Sequence, residues 1–149
     1  MFAEVMREDA YHSYRIRLER LLGIPCNACD QDIHELIEAG FPPDRIQKLC
    51  DLSVISRAER NQIIASRTLK ARVARNQRLT LHESDQLFRL VHVTAMAEVL
   101  FGDEIKAKRW LSKSKDRFAG RRPLEMLSTL PGTREVEVML IQLAEPFAF

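Results

Sequence analysis

The chain has 149 residues, of which 46% are hydrophobic and 30% charged, and its formal net charge is +2 at pH 7. This composition is ordinary for a globular protein, and the length allows one domain or two small ones without disulfides. No apolar run approaches the roughly 18 residues of a membrane-spanning helix, and the charged N-terminus is unlike a signal peptide. We therefore expect a cytoplasmic protein without a membrane anchor.

The cysteines are too few, and odd in number, for a disulfide framework. Cys26 and Cys29 have the two-residue spacing of a zinc knuckle, and His34 lies nearby. A structural zinc site takes four ligands, however, and Cys50 and the other histidines form no second paired motif. We expect small, partly buried thiols and no metal site.

The first third of the chain predicts three helices. Apolar residues at helical spacing run from Glu4 to Leu22, and Asp30 or Asp32 is placed to cap a second helix that ends at Gly40. Pro42-Pro43-Asp44 is placed to begin a third helix, which runs through Ile46, Leu49 and Leu52. No segment alternates with a period of two residues, so we predict an all-α fold.

The middle of the chain predicts two short helices joined by a tight turn. Residues 56–59 and 80–83 are capping boxes, and Ser66 is a third candidate cap between them. These starts leave room for a helix of about two turns, a tight turn at Ala65-Ser66, and a second helix near Arg67 to Asn76. This is the order of a helix-turn-helix motif, and a long amphipathic helix from Leu81 to Phe101 follows it.

The second of these helices is strongly basic. Between residues 56 and 78 the chain carries seven cations, and Glu59 is its only acidic residue. Leu69 and Val73 point to one side of the helix and the cations to the other, an arrangement that suits the major groove of DNA. A solvated surface without a partner is the other interpretation of such a run. The candidate DNA-binding residues are Arg67, Thr68, Lys70 and Ala71 near the bases, and Arg57, Arg72, Arg75 and Arg78 near the phosphates.

The stretch from Phe101 to Leu140 has fixed points whose spacing helix amphipathicity does not require. Gly102 is placed to end one helix, Pro123 to begin another and Thr133 to cap a third. The points are Phe101-Gly102, Trp110-Leu111, Gly120-Arg121-Arg122-Pro123-Leu124, Leu127, Thr129, Gly132, Val136 and Leu140. This pattern resembles the C-terminal toxin-binding domain of the Xre/MbcA/ParS-type antitoxins. It departs from the family pattern at Ala119, where a second glycine is usual, and at residues 112–114, where a proline-containing turn is usual.

The middle of the chain resembles the Xre-like helix-turn-helix that precedes this domain in the same family. The resemblance lies in Gly40-Phe41-Pro42, Ser66-Arg67-Thr68-Leu69 and residues 81–85, whereas Arg60-Asn61-Gln62 replaces apolar residues. It implies a DNA-binding and dimerising domain at 1–100 and a toxin-binding domain at 101–149. It also implies an antitoxin that needs no cofactor, binds its own operator and inhibits a RES-domain toxin, a relative of ADP-ribosyltransferases that acts on NAD. We expect a homodimer, because helix-turn-helix proteins gain specificity by reading two half-sites.

Residues near the C-terminus are the candidates for toxin contact. They are Glu135, Met139, Gln142, Glu145, Phe147 and Phe149. Pro146 is placed to end the last helix, which leaves an apolar tail that finishes in a carboxylate. We hypothesise that Glu145 and this tail enter or border the toxin's cleft and meet cations that would otherwise hold the phosphates of NAD. The alternative is a tail that is frayed or folded back on its own core.

No catalytic motif is present in the sequence. The five glycines are scattered rather than clustered as in a phosphate-binding loop, and no serine lies in a nucleophile-elbow sequence. We therefore interpret the chain as a binding protein and not an enzyme. Two other classes stay open at this point, namely a stand-alone helix-turn-helix regulator without a toxin partner and a partner-binding module that does not bind DNA.

Overall fold

A computed structural model describes residues 6–144, and these residues form helices and connecting turns without a strand. The α-helices are α1 (Glu8–Leu22), α2 (Asp30–Ala39), α3 (Pro43–Asp51), α4 (Arg57–Ile63), α5 (Ser66–Arg75), α6 (Leu81–Phe101), α7 (Glu104–Ser112) and α8 (Leu130–Ala144). Two 3₁₀ helices, Asp116–Phe118 and Pro123–Ser128, lie between α7 and α8. The predicted all-α fold is confirmed.

Two predicted helix starts in the first third of the chain are wrong. Arg7 is not helical and precedes the first residue of α1, so the helix begins four residues after the predicted Glu4. The N-cap of α2 is Cys29, whereas Asp30 and Asp32 lie inside the first turn. The Asp32 carboxylate reaches back to accept the Cys29 N–H at 3.0 Å, which explains why an acidic residue near this position looks like a cap.

The predicted capping boxes before α4 and α6 are present. Ser56 Oγ accepts the Glu59 N–H at 3.2 Å, and the Glu59 carboxylate accepts the Ser56 N–H at 2.9 Å. Thr80 and Glu83 make the corresponding pair of hydrogen bonds at the start of α6. Each reciprocal pair satisfies backbone donors that the first helical turn leaves free.

The predicted role of Ser66 is wrong, because Ser66 is the first residue of α5 and Ala65 occupies the N-cap. Helix α5 therefore starts without a side-chain cap. It ends one residue earlier than predicted, since Asn76 adopts a left-handed conformation at φ 52°. Asparagine tolerates this conformation better than most residues, and it closes the helix as glycine often does.

Helix α6 is the centre of the fold. Every residue from Leu90 to Glu98 is buried. Helices α1 and α2 from the first part of the chain pack against α6, and so do α7 and α8 from the last part. A helix that is buried all round is a shared core element rather than an exposed connector. The long helix predicted from Leu81 to Phe101 is therefore correct in its bounds, and it supports both ends of the chain.

The C-terminal module begins after Gly102, whose left-handed conformation at φ 69° ends α6 as predicted. Pro123 begins a 3₁₀ helix. Thr133, however, does not cap α8, because it lies within the helix and its hydroxyl donates to the Thr129 carbonyl oxygen at 2.9 Å. Thr129 Oγ1 instead accepts the Gly132 N–H at 3.1 Å, so the capping threonine is the one four residues earlier.

Candidate nucleic-acid and partner interfaces

Helices α4 and α5 form the basic unit that the sequence predicts. Only Ile64 and Ala65, both in extended conformation, separate the two helices. Ile64 and Leu69 are buried and hold the pair against the rest of the fold. Val73, which the helical spacing placed on the same inward face as Leu69, is instead 40% exposed. The inward face of α5 is therefore narrower than predicted, and more of the helix surface is open to solvent.

The exposed surface of this unit carries most of the predicted DNA-binding side chains. Arg57, Arg67, Thr68, Lys70, Ala71 and Arg75 are all exposed. Among the described residues, the four cations of this set have no hydrogen bond or ion pair. Glu59 is the acidic residue of the unit, and its carboxylate already accepts a backbone N–H. The result is a positive surface whose side chains are free to meet an anionic partner.

Two of the predicted phosphate contacts, Arg72 and Arg78, already have partners within the protein. The Arg72 guanidinium pairs with Glu83 at the start of α6, and both side chains are at most 15% exposed. Arg78 Nη1 donates to the Gly40 carbonyl oxygen at 2.8 Å. These contacts tie α5 and the following turn to α6 and to the end of α2. The sequence identified Glu83 only as a capping residue, and nothing in its local pattern indicates the second contact.

The predicted toxin-binding residues within the described range lie on α8. Val136 and Leu140 are buried, while Glu135 and Gln142 are exposed and Met139 is half-buried. The Gln142 side-chain oxygen accepts a hydrogen bond from Arg117 Nη1 at 2.5 Å. Helix α8 therefore presents a mixed polar and apolar surface on its outer side. The predicted contacts at Glu145, Phe147 and Phe149 lie outside the described residues.

A buried polar chain connects α1, α6 and α8. The Tyr14 hydroxyl lies 2.5 Å from His92 Nδ1, and His92 Nε2 lies 3.5 Å from a carboxylate oxygen of Glu137. Each of the three side chains is at least 93% buried, and the Phe88 ring stacks on the His92 imidazole at 5.6 Å. Burial raises the pKa of Tyr14, which keeps its hydroxyl protonated. These three hydrogen-bonding side chains link α1 to α8 through α6. Helix α8 is therefore held by specific polar contacts as well as by apolar packing.

Sequence reasoning missed this connection. The sequence assigns no role to His92 or Glu137, and the structure buries both side chains with polar partners. Tyr14 and His92 are 78 positions apart, and no pattern in a single sequence pairs them.

An ion pair with a buried carboxylate also joins α1 to α6. Arg17 Nε lies 3.2 Å from a carboxylate oxygen of Glu98, whose side chain is 6% exposed. Burial raises the pKa of Glu98, and Arg17 only partly opposes this effect. Burial therefore makes the ionised form of Glu98 less favourable in the folded protein than in the unfolded chain.

The cysteine pair has local partners. Cys26 Sγ donates to a Glu19 carboxylate oxygen at 2.6 Å, and this hydrogen bond raises the pKa of the Cys26 thiol. Cys29 is exposed at the N-terminus of α2, and Cys50 is partly buried in α3. Among residues 6–144, no group of three or more histidine, cysteine or acidic side chains is arranged to hold a metal ion.

Within residues 6–144, no helix has both the length and the apolar character needed to cross a membrane.

Comparison with known proteins identifies the class of protein that this arrangement belongs to. Residues 96–145 match the family model described as the antitoxin Xre/MbcA/ParS C-terminal toxin-binding domain. The match begins inside α6 and covers all of α7 and α8. The C-terminal module is therefore similar to a toxin-binding domain, and this similarity supports a cognate toxin as a partner of the chain.

Two curated relatives extend the similarity beyond that module. The chain is 53% identical to the protein named antitoxin Xre of Pseudomonas putida over 147 residues, which cover 99% of this chain and 92% of the relative. It is 34% identical to the antitoxin Xre of Yersinia enterocolitica over 122 residues, which cover 80% of this chain and 82% of that relative. The chain belongs to the Xre antitoxin family. This membership confirms the predicted antitoxin class, and it confirms that the protein is not an enzyme.

Proposed function

We propose that this antitoxin inhibits a RES-type, NAD-consuming toxin by occluding the toxin's active site, and that it binds operator DNA to regulate its own operon. Residues 1–100 would form the DNA-binding and dimerising part, and residues 101–149 the toxin-binding part. The observation that carries the DNA-binding half of the proposal is the exposed surface of α5, where Arg67, Lys70 and Arg75 have no partner among the described residues.

Helix α5 would enter the major groove of the operator. Arg67, Thr68, Lys70 and Ala71 lie in its first two turns, the part of a recognition helix that meets base edges. Ala71 is small, so the helix can approach the groove closely at this position. Arg75 lies in the last turn of the helix and Arg57 in α4, where both would contact phosphates. A homodimer would place two such helices on two half-sites.

The salt dependence of operator binding tests this half of the proposal. If about six phosphates are neutralised per duplex, the logarithm of the affinity should fall against the logarithm of the salt concentration with a slope near −5. Arg67→Ala and Lys70→Ala should reduce the preference for operator over random DNA, because both residues are assigned to bases. An equal loss of affinity on both DNAs would assign them to phosphates instead, and no operator binding would favour a partner-binding module.

The toxin-binding half rests on α8 and on the residues that follow it. Buried contacts through Val136, Leu140 and Glu137 fix the orientation of α8 on α6. Its exposed residues Glu135 and Gln142 are thus presented on a rigid support, which lowers the entropic cost of binding a partner. The RES identity of the toxin comes from the family resemblance, and the cleft-occluding role of Glu145 and the apolar tail is our hypothesis for how inhibition is achieved.

Removal of residues 145–149 tests the occlusion hypothesis. The truncated protein should still associate with the toxin encoded by the neighbouring gene, because α8 is intact, but it should inhibit NAD consumption less effectively. The control is a Glu104→Gln variant, which changes an exposed residue of α7 outside the predicted toxin contacts and should leave both association and inhibition unchanged. Inhibition by the truncated protein that equals inhibition by the full chain would reject the tail mechanism and leave the antitoxin assignment intact.

A further inference from the structure

A deep groove separates the α4–α5 unit from the C-terminal module. It has a volume of about 900 Å³, and its walls come from α3, α4 and α5 on one side and from α7 on the other. Small-molecule sites in proteins usually measure about 300 to 1,000 Å³ and lie where two parts of a fold meet. The groove therefore has the size and the location of a ligand site.

Cations from three helices line this groove. Arg57 and Arg60 come from α4, Lys70 from α5 and Lys108 from α7. Arg57 and Lys70 have no partner among the described residues. Arg60 Nη1 donates to the Ile64 carbonyl oxygen at 3.1 Å, and Lys108 Nζ donates to the Ser53 carbonyl oxygen at 2.5 Å. Both of these side chains have further N–H donors, so four cations can face one occupant.

The acidic residues of the groove do not cancel this charge. Asp51 and Glu59 line it, which leaves an excess of two positive charges from four cations and two carboxylates. Asp51 already accepts a hydrogen bond from Gln47 Nε2 at 3.2 Å, and Glu59 accepts the Ser56 N–H at 2.9 Å. Neither carboxylate forms an ion pair with a groove cation. The groove thus favours an anion with more than one negative charge.

The groove also exposes some apolar surface. Val54 and Leu124, both half-buried, line it beside the buried side chains of Leu69 and Leu111. An inorganic anion would leave this surface in contact with water, whereas a ligand that carries a flat ring beside its charged group would cover it. We propose that the groove binds a nucleoside diphosphate, with the phosphates held by Arg57, Lys70 and Lys108 and the base against Val54 and Leu124.

An occupant of this groove would affect DNA binding. Arg57 and Lys70 line the groove and also belong to the DNA-binding surface, so bound phosphates would neutralise cations that the operator needs. This consequence rests on the proposed operator binding, whereas the site itself does not. Helix α7 contributes Lys108, so the same ligand would touch both the DNA-binding part and the toxin-binding part of the antitoxin.

Calorimetric titration of the full-length protein with ADP tests the site. We expect one ADP per chain, with adenosine and inorganic pyrophosphate each binding at least about tenfold more weakly, because each lacks one half of the recognition. Arg57→Gln and Lys108→Gln should each weaken ADP binding about tenfold. Lys106→Gln is the matched control, since Lys106 is an exposed lysine on α7 that does not line the groove.

The variants separate this proposal from the proposed function. Lys108→Gln should bind ADP about tenfold more weakly and keep its affinity for the operator, because Lys108 is not among the proposed DNA-binding residues. Arg57 has no partner within the described chain, so Arg57→Gln should fold normally, and its circular dichroism spectrum checks this. Absence of ADP binding, equal binding of pyrophosphate, or equal weakening by Lys106→Gln would each overturn the proposal, whatever the operator result.

Discussion

Two arginines of α5, three residues apart, allow the proposed DNA-binding role to be tested against a structural role. Arg72 pairs with Glu83 and is 15% exposed, whereas Arg75 is exposed and has no partner among the described residues. Both were candidates for phosphate contact on the basis of the sequence. We predict that Arg75→Ala weakens operator binding in a salt-dependent way, and that Arg72→Ala mainly lowers the free energy of unfolding.

The magnitudes follow from the contacts. Each phosphate contact contributes about 0.9 to the slope of log affinity against log salt, so loss of Arg75 from both chains of a DNA-bound dimer removes about 1.8. When the salt concentration rises fourfold, the operator affinity of both proteins should fall. The factor by which it falls should be about ten times smaller for Arg75→Ala than for the wild type. Arg72→Ala leaves the mostly buried Glu83 carboxylate with only its capping hydrogen bond from Thr80, which should cost about 1 to 3 kcal/mol of stability.

Fluorescence anisotropy with labelled operator DNA at several salt concentrations measures the slopes, and urea unfolding measures the stabilities. The wild type and Arg72→Ala should give the same slope, while Arg75→Ala should give a shallower one at unchanged stability. If Arg72→Ala reduces the slope as much as Arg75→Ala does, then Arg72 leaves Glu83 to contact DNA, and the assignment of the two roles is wrong.

Three further predictions concern the stability of the fold. Gly132→Ala should destabilise the protein by about 1 to 2 kcal/mol in urea unfolding, although alanine favours helices, because the added Cβ would lie 2.0 Å from the Met126 carbonyl oxygen; a stabilised variant would contradict this packing. Ala119→Gly should stabilise the protein by about 0.5 to 1 kcal/mol in the same assay, since Ala119 adopts φ 56°, and a loss of stability would show that the loop tolerates alanine. The raised pKa of Glu98 means that the folded state holds this proton more tightly than the unfolded state, so Glu98 should make stability fall as pH rises above 4.5. Unfolding of Glu98→Gln at pH 4.5 and 7 should lack that contribution, and an identical pH dependence in both proteins would refute it.

Local signals predicted most of the helices. The predictions are confirmed for the capping boxes at residues 56–59 and 80–83 and for the glycine after α6. Each of these signals acts through hydrogen bonds or backbone conformation within a few residues. The wrong predictions that Ser66 and Thr133 cap their helices also have a local cause. In each case a hydroxyl residue lies near a helix start, and the sequence does not decide which neighbouring position takes the cap.

The contacts that define the interfaces could not be predicted in the same way. Arg72 and Arg75 look alike in the sequence, and only the position of Glu83 after the fold forms distinguishes them. The chain from Tyr14 through His92 to Glu137 likewise depends on how three separate helices pack around α6. The groove beside Lys108 arises between segments that are distant in sequence, so no local pattern reports it.

We propose above all that this chain neutralises an NAD-consuming toxin by binding it directly. The most direct test is to titrate the purified antitoxin into the toxin encoded by the neighbouring gene and to follow NAD consumption. We predict that the two proteins form a stable complex and that NAD consumption stops at a fixed molar ratio of antitoxin to toxin. Undiminished NAD consumption at a large excess of antitoxin, with no complex on gel filtration, would contradict the account.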